Sequence, residues 1–250
     1  MPDDDRPTPT AAPQRRPVRF KVCGLTRVED AEAAVEAGAW AAGIILVKGS
    51  PRRATLAEAA AIAGTLRRRA LVVGVFVNER LDDVVRTVDM AGLTAVQLHG
   101  DEGPSFASEV ARRTGVKVIK AARIGARADV QALDAFRGLD FHLMDAAGAS
   151  DGPRGGTGRT FDWSLARTRR STVPLLLAGG LGPENVGEAI LEGRPWGVDV
   201  SSGVEASPGV KDHEQVEAFI AAVRATAEPD GGEEPSAVPD AEPAEQGAQA

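Results

Sequence analysis

The sequence predicts an α/β protein: a single closed barrel of eight parallel strands alternating with helices. Three observations carry the prediction. Short β-branched runs alternate along the chain with Ala/Leu/Glu/Arg-rich stretches of helical periodicity, and there are eight such runs. Most of their starts fall about 23 residues apart, room for a strand, a crossover helix and short loops. Strict alternation of this kind calls for parallel strands joined by right-handed crossovers. Eight units favour closure into a (β/α)8 (TIM) barrel over an open doubly wound sheet.

In chain order, the strands are expected at VRFKV (18–22), AAGIIL (41–46), LVVGVFV (71–77), TAVQL (94–98), VKVIK (116–120), LDFHLM (139–144), VPLLLA (173–178) and WGVDV (196–200). Helices are expected over Val28–Ala37, Leu56–Arg68, Leu81–Ala91, Pro104–Arg113 and Pro183–Glu192, with a last one after Lys211. Two gaps are longer than the rest, before the third and seventh strands. The second holds DAAGASDGPRGGTGRT (145–160), Gly-rich and without periodicity. Long loops in compact domains are usually functional or disordered, and loops that follow barrel strands lie on the catalytic face.

Residues 1–17 and 227–250 are polar and Pro-rich, and read as disordered tails around a barrel domain spanning 18–226. A chain of 250 residues with 43% hydrophobic content can bury one large core. The net charge of −7, with no dense basic face, disfavours nucleic acid as a partner. The single cysteine, Cys23, rules out an intramolecular disulfide or a CxxC site. His99, His142 and His213 are far apart and form no metal-binding cluster, so no metal is expected. No apolar run approaches a membrane span, and the N-terminus lacks a secretory h-region; residence in the cytoplasm is the default expectation. Sequence periodicity leaves a monomer and a homodimer equally open.

Strand 1 runs into KVCGLTRVEDA (21–31). Alternation puts Lys21 and Cys23 on one face and Phe20 and Val22 on the other, so the ammonium and thiol should point into the barrel. A nearby cation favours thiolate, which makes Cys23 a candidate base or nucleophile; the competing reading is an inert core cysteine. Asp145, ending strand 6, is either an acid–base group or a turn organiser. Phosphate binding is suggested by small-residue loops after three adjacent strands: Gly155–Gly156, Gly179–Gly180 and Ser201–Ser202–Gly203. In GSPRR (49–53) an arginine either grips a carboxylate or is simply solvated. Asn78, Gln97, His99 and Asp199 also sit at strand ends, in pocket-lining or structural roles.

Taken together, KVCGLTRVEDA, SPRR, GVFVN, VQLHGDE, GGTGRTFDW, LAGGLGPENV and DVSSGVEASPGVKDH resemble the phosphoribosylanthranilate isomerase family, in the family's order from Val18 to about Val223. The resemblance implies an aldose–ketose isomerase of tryptophan biosynthesis acting on a small phosphosugar. The reaction is an Amadori rearrangement of N-(5-phosphoribosyl)anthranilate to 1-(o-carboxyphenylamino)-1-deoxyribulose 5-phosphate, without cofactor. It further implies Cys23 as general base, Asp145 as general acid and Arg52 on the anthranilate carboxylate, with the phosphate in the glycine and serine loops beside Asp199. A carboxylic acid donating near neutral pH needs a raised pKa, for which Asp199 or the substrate phosphate is a candidate cause. Many relatives carry an aromatic and a proline where this chain has Val47 and Lys48, and the segment 145–155 is longer than usual. Two alternatives are a non-catalytic phosphosugar-binding barrel and the related isomerase of histidine biosynthesis. The first should lack the base or the acid; the second should show an aspartate base on strand 1 and a phosphate loop in each half.

Overall fold

In a computed structural model, residues 17–146 and 162–227 are described. The expected tails, apart from their innermost residues, lie outside that range, as do Gly155, Gly156 and most of the long loop after strand 6. The strands are β1 (Arg19–Cys23), β2 (Ala41–Ile45), β3 (Leu71–Phe76), β4 (Ala95–Leu98), β5 (Lys117–Ile124), β6 (Phe141–Ala146), β7 (Leu175–Leu177) and β8 (Gly197–Val200). They close in sequence order into one parallel barrel, sealed by Lys21 opposite Asp199 on β1 and β8. Around it lie α1 (Val28–Glu36), α2 (Leu56–Thr65), α3 (Leu81–Ala91), α4 (Pro104–Thr114), α5 (Arg127–Leu133), α6 (Val186–Gly193) and α7 (His213–Ala225). A 3-10 turn, Trp163–Thr168, stands where the repeat would put a helix before β7. After β8 comes a short hairpin, β9 (Glu205–Ser207) with β10 (Val210–Lys211).

Most boundaries shift by one or two residues, and three depart by three or more. Helix α2 stops at Thr65, and Arg68 takes a left-handed φ of 66°, which ends the helix ahead of three adjacent like charges. Strand β5 runs on to Ile124 because Ala121, Ala122 and Arg123 pair with Leu143, Met144 and Asp145 of β6. Helix α6 starts at Val186 rather than Pro183, because Asn185 is used in a turn: its Oδ1 accepts from Gly182 N and its Nδ2 donates to Gly180 O, both at 2.9 Å.

The period-two alternation of the strands sorts the core into two layers. Phe20, Val22, Ile44, Val96 and Val198 face the helices, whereas Ala41, Val73, Ala95, Ile119, Leu143 and Leu176 fill the barrel. At the N-terminal ends of the strands, Trp40, Phe141 and Trp196 meet with ring centroids 4.8–5.0 Å apart. That aromatic plug closes one end of the barrel, so polar groups gather at the other.

Candidate active site

Strand β1 delivers Lys21 and Cys23 inward, as its alternation requires; they are 0% and 5% exposed. Lys21 Nζ donates to Asp199 Oδ1 at 2.9 Å across the seam between β1 and β8. A buried ammonium is tolerable only with such a partner. Burial works to lower the Lys21 pKa, but Asp199 and Cys23 outweigh it and hold Lys21 above the usual lysine range. Burial pushes Asp199 above the usual carboxylate range, against the pull of Lys21 and with the help of Asp145.

Lys21 favours a Cys23 thiolate, as expected, but it does not decide the balance. Burial pushes the thiol above its ordinary range; Lys21 opposes that, and Asp199 adds to it. The cation is where the sequence put it, but its field is largely cancelled by a carboxylate that arrives 178 residues later.

Asp145 ends β6 at 4% exposure, and His99 Nε2 stands 3.1 Å from its Oδ2. That contact is close in distance but off the angle of a formed hydrogen bond. The other ring nitrogen, Nδ1, faces Gln97 Nε2 at 3.0 Å. With the amide donating there, His99 carries its proton on Nε2, towards Asp145. Gly179 backs the same carboxyl: a Cβ there would lie 2.8 Å from Asp145 Oδ1 and collide with Ala146 N, and its φ of +87° suits glycine.

Arg52 is neither solvated nor free. Its Nε donates to both Glu205 oxygens, at 3.0 and 2.9 Å, and an Nη lies 2.9 Å from Oε2. Lys211 Nζ donates to the same carboxylate at 2.8 Å and to Ser201 O at 3.0 Å. Burial would raise the Glu205 pKa, but Arg52 and Lys211 outweigh it and hold the carboxyl below the usual glutamate range. Neighbouring Arg53 is exposed, the solvated outcome. Asn78 does not join the site; its N donates to Glu102 Oε1 at 2.7 Å in a link between loops.

Cys23, Arg52, Asp145, Gly179, Gly180, Asp199, Ser201 and Ser202 line one cavity of about 330 Å³, together with Gln97, His99, Val47 and Lys48. Gly203 does not line it. A Cβ at Gly203 would collide with the Leu181 carbonyl oxygen, so this glycine lets the loops after β7 and β8 touch. Among the described residues, the N–H groups of Gly180, Ser202 and Gly203 have no protein acceptor, and Ser201 Oγ is buried without a partner. Sequence reasoning missed Glu205 and Lys211: their partner Arg52 lies 153 residues before Glu205, so no local pattern in GVEASPGVK marked them.

A closed parallel barrel with thiol, carboxyl groups and open backbone N–H groups converging at the strand C-terminal ends is the architecture of a (β/α)8-barrel enzyme. The family model for N-(5'phosphoribosyl)anthranilate (PRA) isomerase matches residues 20–222, and the chain belongs to that family. The N-(5'-phosphoribosyl)anthranilate isomerase of Myxococcus xanthus is 49% identical over 209 residues, 83% of this chain and 96% of the relative. That of Acidithiobacillus ferrooxidans is 45% identical over 210 residues, 84% and 98% of the two chains. The crystal structure of the Thermotoga maritima isomerase superposes with a TM-score of 0.75 at 40% identity, covering 83% of this chain and 99% of that one. A solved isomerase complex with reduced 1-(o-carboxyphenylamino)-1-deoxyribulose 5-phosphate gives 0.72 at 38% identity, with the same coverage.

Proposed function

We propose that this chain converts N-(5-phosphoribosyl)anthranilate to 1-(o-carboxyphenylamino)-1-deoxyribulose 5-phosphate, with Asp145 as general acid and Cys23 as general base. The observation that carries the reading is that both groups, one on β6 and one on β1, line the same cavity. Asp145 gives a proton to the ribose ring oxygen as the C1–O bond breaks, while the anthranilate nitrogen lone pair forms the C1=N bond of a protonated imine. Cys23 then takes the C2 proton; the C2–H electrons form the C1=C2 bond, and the imine electrons return to nitrogen. The resulting enolamine tautomerises to the ketone. The cationic imine is itself the electron sink that acidifies C2, and each proton-transfer group contributes about 10²–10⁴-fold.

The remaining assignments follow the charge pattern. The Lys21–Asp199 ion pair fixes the polar wall beside Cys23. Arg52 takes the anthranilate carboxylate through the donors that Glu205 leaves unused, Glu205 and Lys211 holding its fork in place. Phosphate sits on the N–H groups of Gly180 and Ser202 with Ser201 Oγ.

The test is loss of substrate fluorescence, coupled to excess indoleglycerol-phosphate synthase. Wild type turns over, and Cys23→Ser and Asp145→Asn each lose at least about 10²-fold in kcat. A folded wild type without turnover refutes the reaction. Full activity in one variant removes that residue's role and keeps the reaction.

A further inference from the structure

A second cavity of about 340 Å³ lies on the other side of His99, which lines both spaces. Its wall includes Arg123, near the end of β5 and opposite Asp145 in register. Alternation puts Arg123 on the inner side of the strand with Ile119 and Ala121, but at the mouth of the barrel rather than in the core. Its guanidinium is anomalous. Nε and Nη2 are buried, and no carboxylate, carbonyl or hydroxyl among the described residues accepts from them. Buried guanidinium nitrogens without an acceptor are costly unless an anion compensates them.

The rest of the wall defines which anion fits. Lys120, the neighbouring cation, is already committed to Glu102 Oε2 at 2.9 Å and Gly100 O at 2.8 Å. Asp129 Oδ2 accepts from the N–H groups of Gly125 and Ala126 at 2.8 Å, so this carboxylate is tied to its own loop. Asp101, on the same wall, accepts from Asn78 Nδ2 at 3.0 Å. One unpartnered guanidinium beside three committed carboxylates suits at most a single negative charge and repels a dianion such as phosphate. Leu133 and Phe136 supply an apolar flank. A planar guanidinium beside an apolar surface matches a carboxylate on a flat hydrocarbon body.

We propose that this cavity is a binding site for an aromatic monocarboxylate, anchored by Arg123 and distinct from the cavity that holds Cys23. Two sources share that chemistry: a free aromatic acid, or the substrate ring with its carboxylate here in place of the Arg52 contact proposed above. The site is read by direct binding, so it stands or falls separately from the roles of Cys23 and Asp145.

The experiment is calorimetric titration of benzoate into wild type, Arg123→Met, Arg52→Met and Ala132→Asp, with the substrate KM of each. Methionine keeps the apolar stem of the side chain without its charged head. Ala132 is exposed on α5 at the cavity wall, so aspartate there adds a repelling charge without disturbing the core. Benzoate is expected to bind Arg52→Met as wild type at this site and at least about tenfold more weakly to Arg123→Met and Ala132→Asp. With a free acid as ligand, KM in Arg123→Met stays within about twofold of wild type; with the substrate ring as ligand, KM rises about tenfold. No benzoate binding to wild type overturns the proposal, as does unchanged affinity in both Arg123→Met and Ala132→Asp.

Discussion

Replacing Lys21 with methionine is the sharpest probe of the buried charge at the barrel seam. The substitution is near-isosteric, so its cost comes from Asp199, left 8% exposed and without the ammonium 2.9 Å away. Stranding one member of a buried pair costs about 3–5 kcal/mol. The cost has a ceiling, because a stranded carboxylate takes up a proton. From a reference pKa of about 3.9, protonation costs about 4 kcal/mol at pH 7 and about 1.5 kcal/mol at pH 5. The deficit therefore shrinks as the pH falls, and at pH 7 it lowers Tm by about 6–16 °C for a domain of this size. Adding Asp199→Leu removes the stranded charge and should return most of the loss, since apolar replacement of a whole buried pair is often neutral. Denaturant unfolding of the four proteins of this cycle, at pH 7 and pH 5, measures each step. A cost below about 1 kcal/mol for Lys21→Met at pH 7, or a double variant no more stable than the single one, would refute the reasoning.

Three further expectations follow from the same geometry. Burial holds the Cys23 thiol above its ordinary range, and a base acts only when deprotonated; kcat/KM should keep climbing as pH rises past about 8.5, and a flat profile from pH 6 to 9 contradicts Cys23 as base. Gly43→Ala places a Cβ 2.7 Å from Cys23 Sγ and 3.0 Å from Lys21 Nζ, so kcat should fall at least about tenfold with an unchanged circular dichroism spectrum, and wild-type kcat would show that the thiol position is not critical. Glu205 has a folded pKa below its unfolded value, so its stabilisation is present above about pH 4.3 and is lost as pH falls through the folded pKa. Glu205→Gln should accordingly flatten the acid limb of stability against pH, and an unchanged slope in urea unfolding between pH 5 and 3 would contradict the link.

The fold was legible because its signal is local. Strand alternation, repeated at near-constant spacing, placed all eight strands and turned Lys21 and Cys23 inward before any contact was known. The cavity positions of Asp145, Asp199, Gly179, Gly180, Ser201 and Ser202 were legible for a related reason: in a parallel barrel, whatever ends a strand faces the catalytic side. What escaped was pairing between strand ends. Arg52 meets Glu205 across 153 residues, and Lys21 meets Asp199 across 178, through barrel closure. Arg123 escaped differently, since β5 was expected to end at residue 120 and its last turn of pairing comes from β6.

The same nonlocality explains why a cation two residues from the thiol does not make it a resting thiolate. Lys21 and Asp199 form a neutral pair, so burial decides the balance. On the proposed mechanism, the missing positive charge is supplied by the reaction. Ring opening creates a cationic imine beside Cys23, just before C2 must be deprotonated. At an effective dielectric of about 20, a unit charge 4 Å away is worth about 4 kcal/mol, enough to shift a thiol by about three pKa units. A permanent thiolate would lie exposed to alkylation and oxidation between turnovers. A buried thiol whose acidity rises with the intermediate is protected when idle and basic when the C2 proton becomes labile, which is the reason the Lys21 charge is better cancelled than left free.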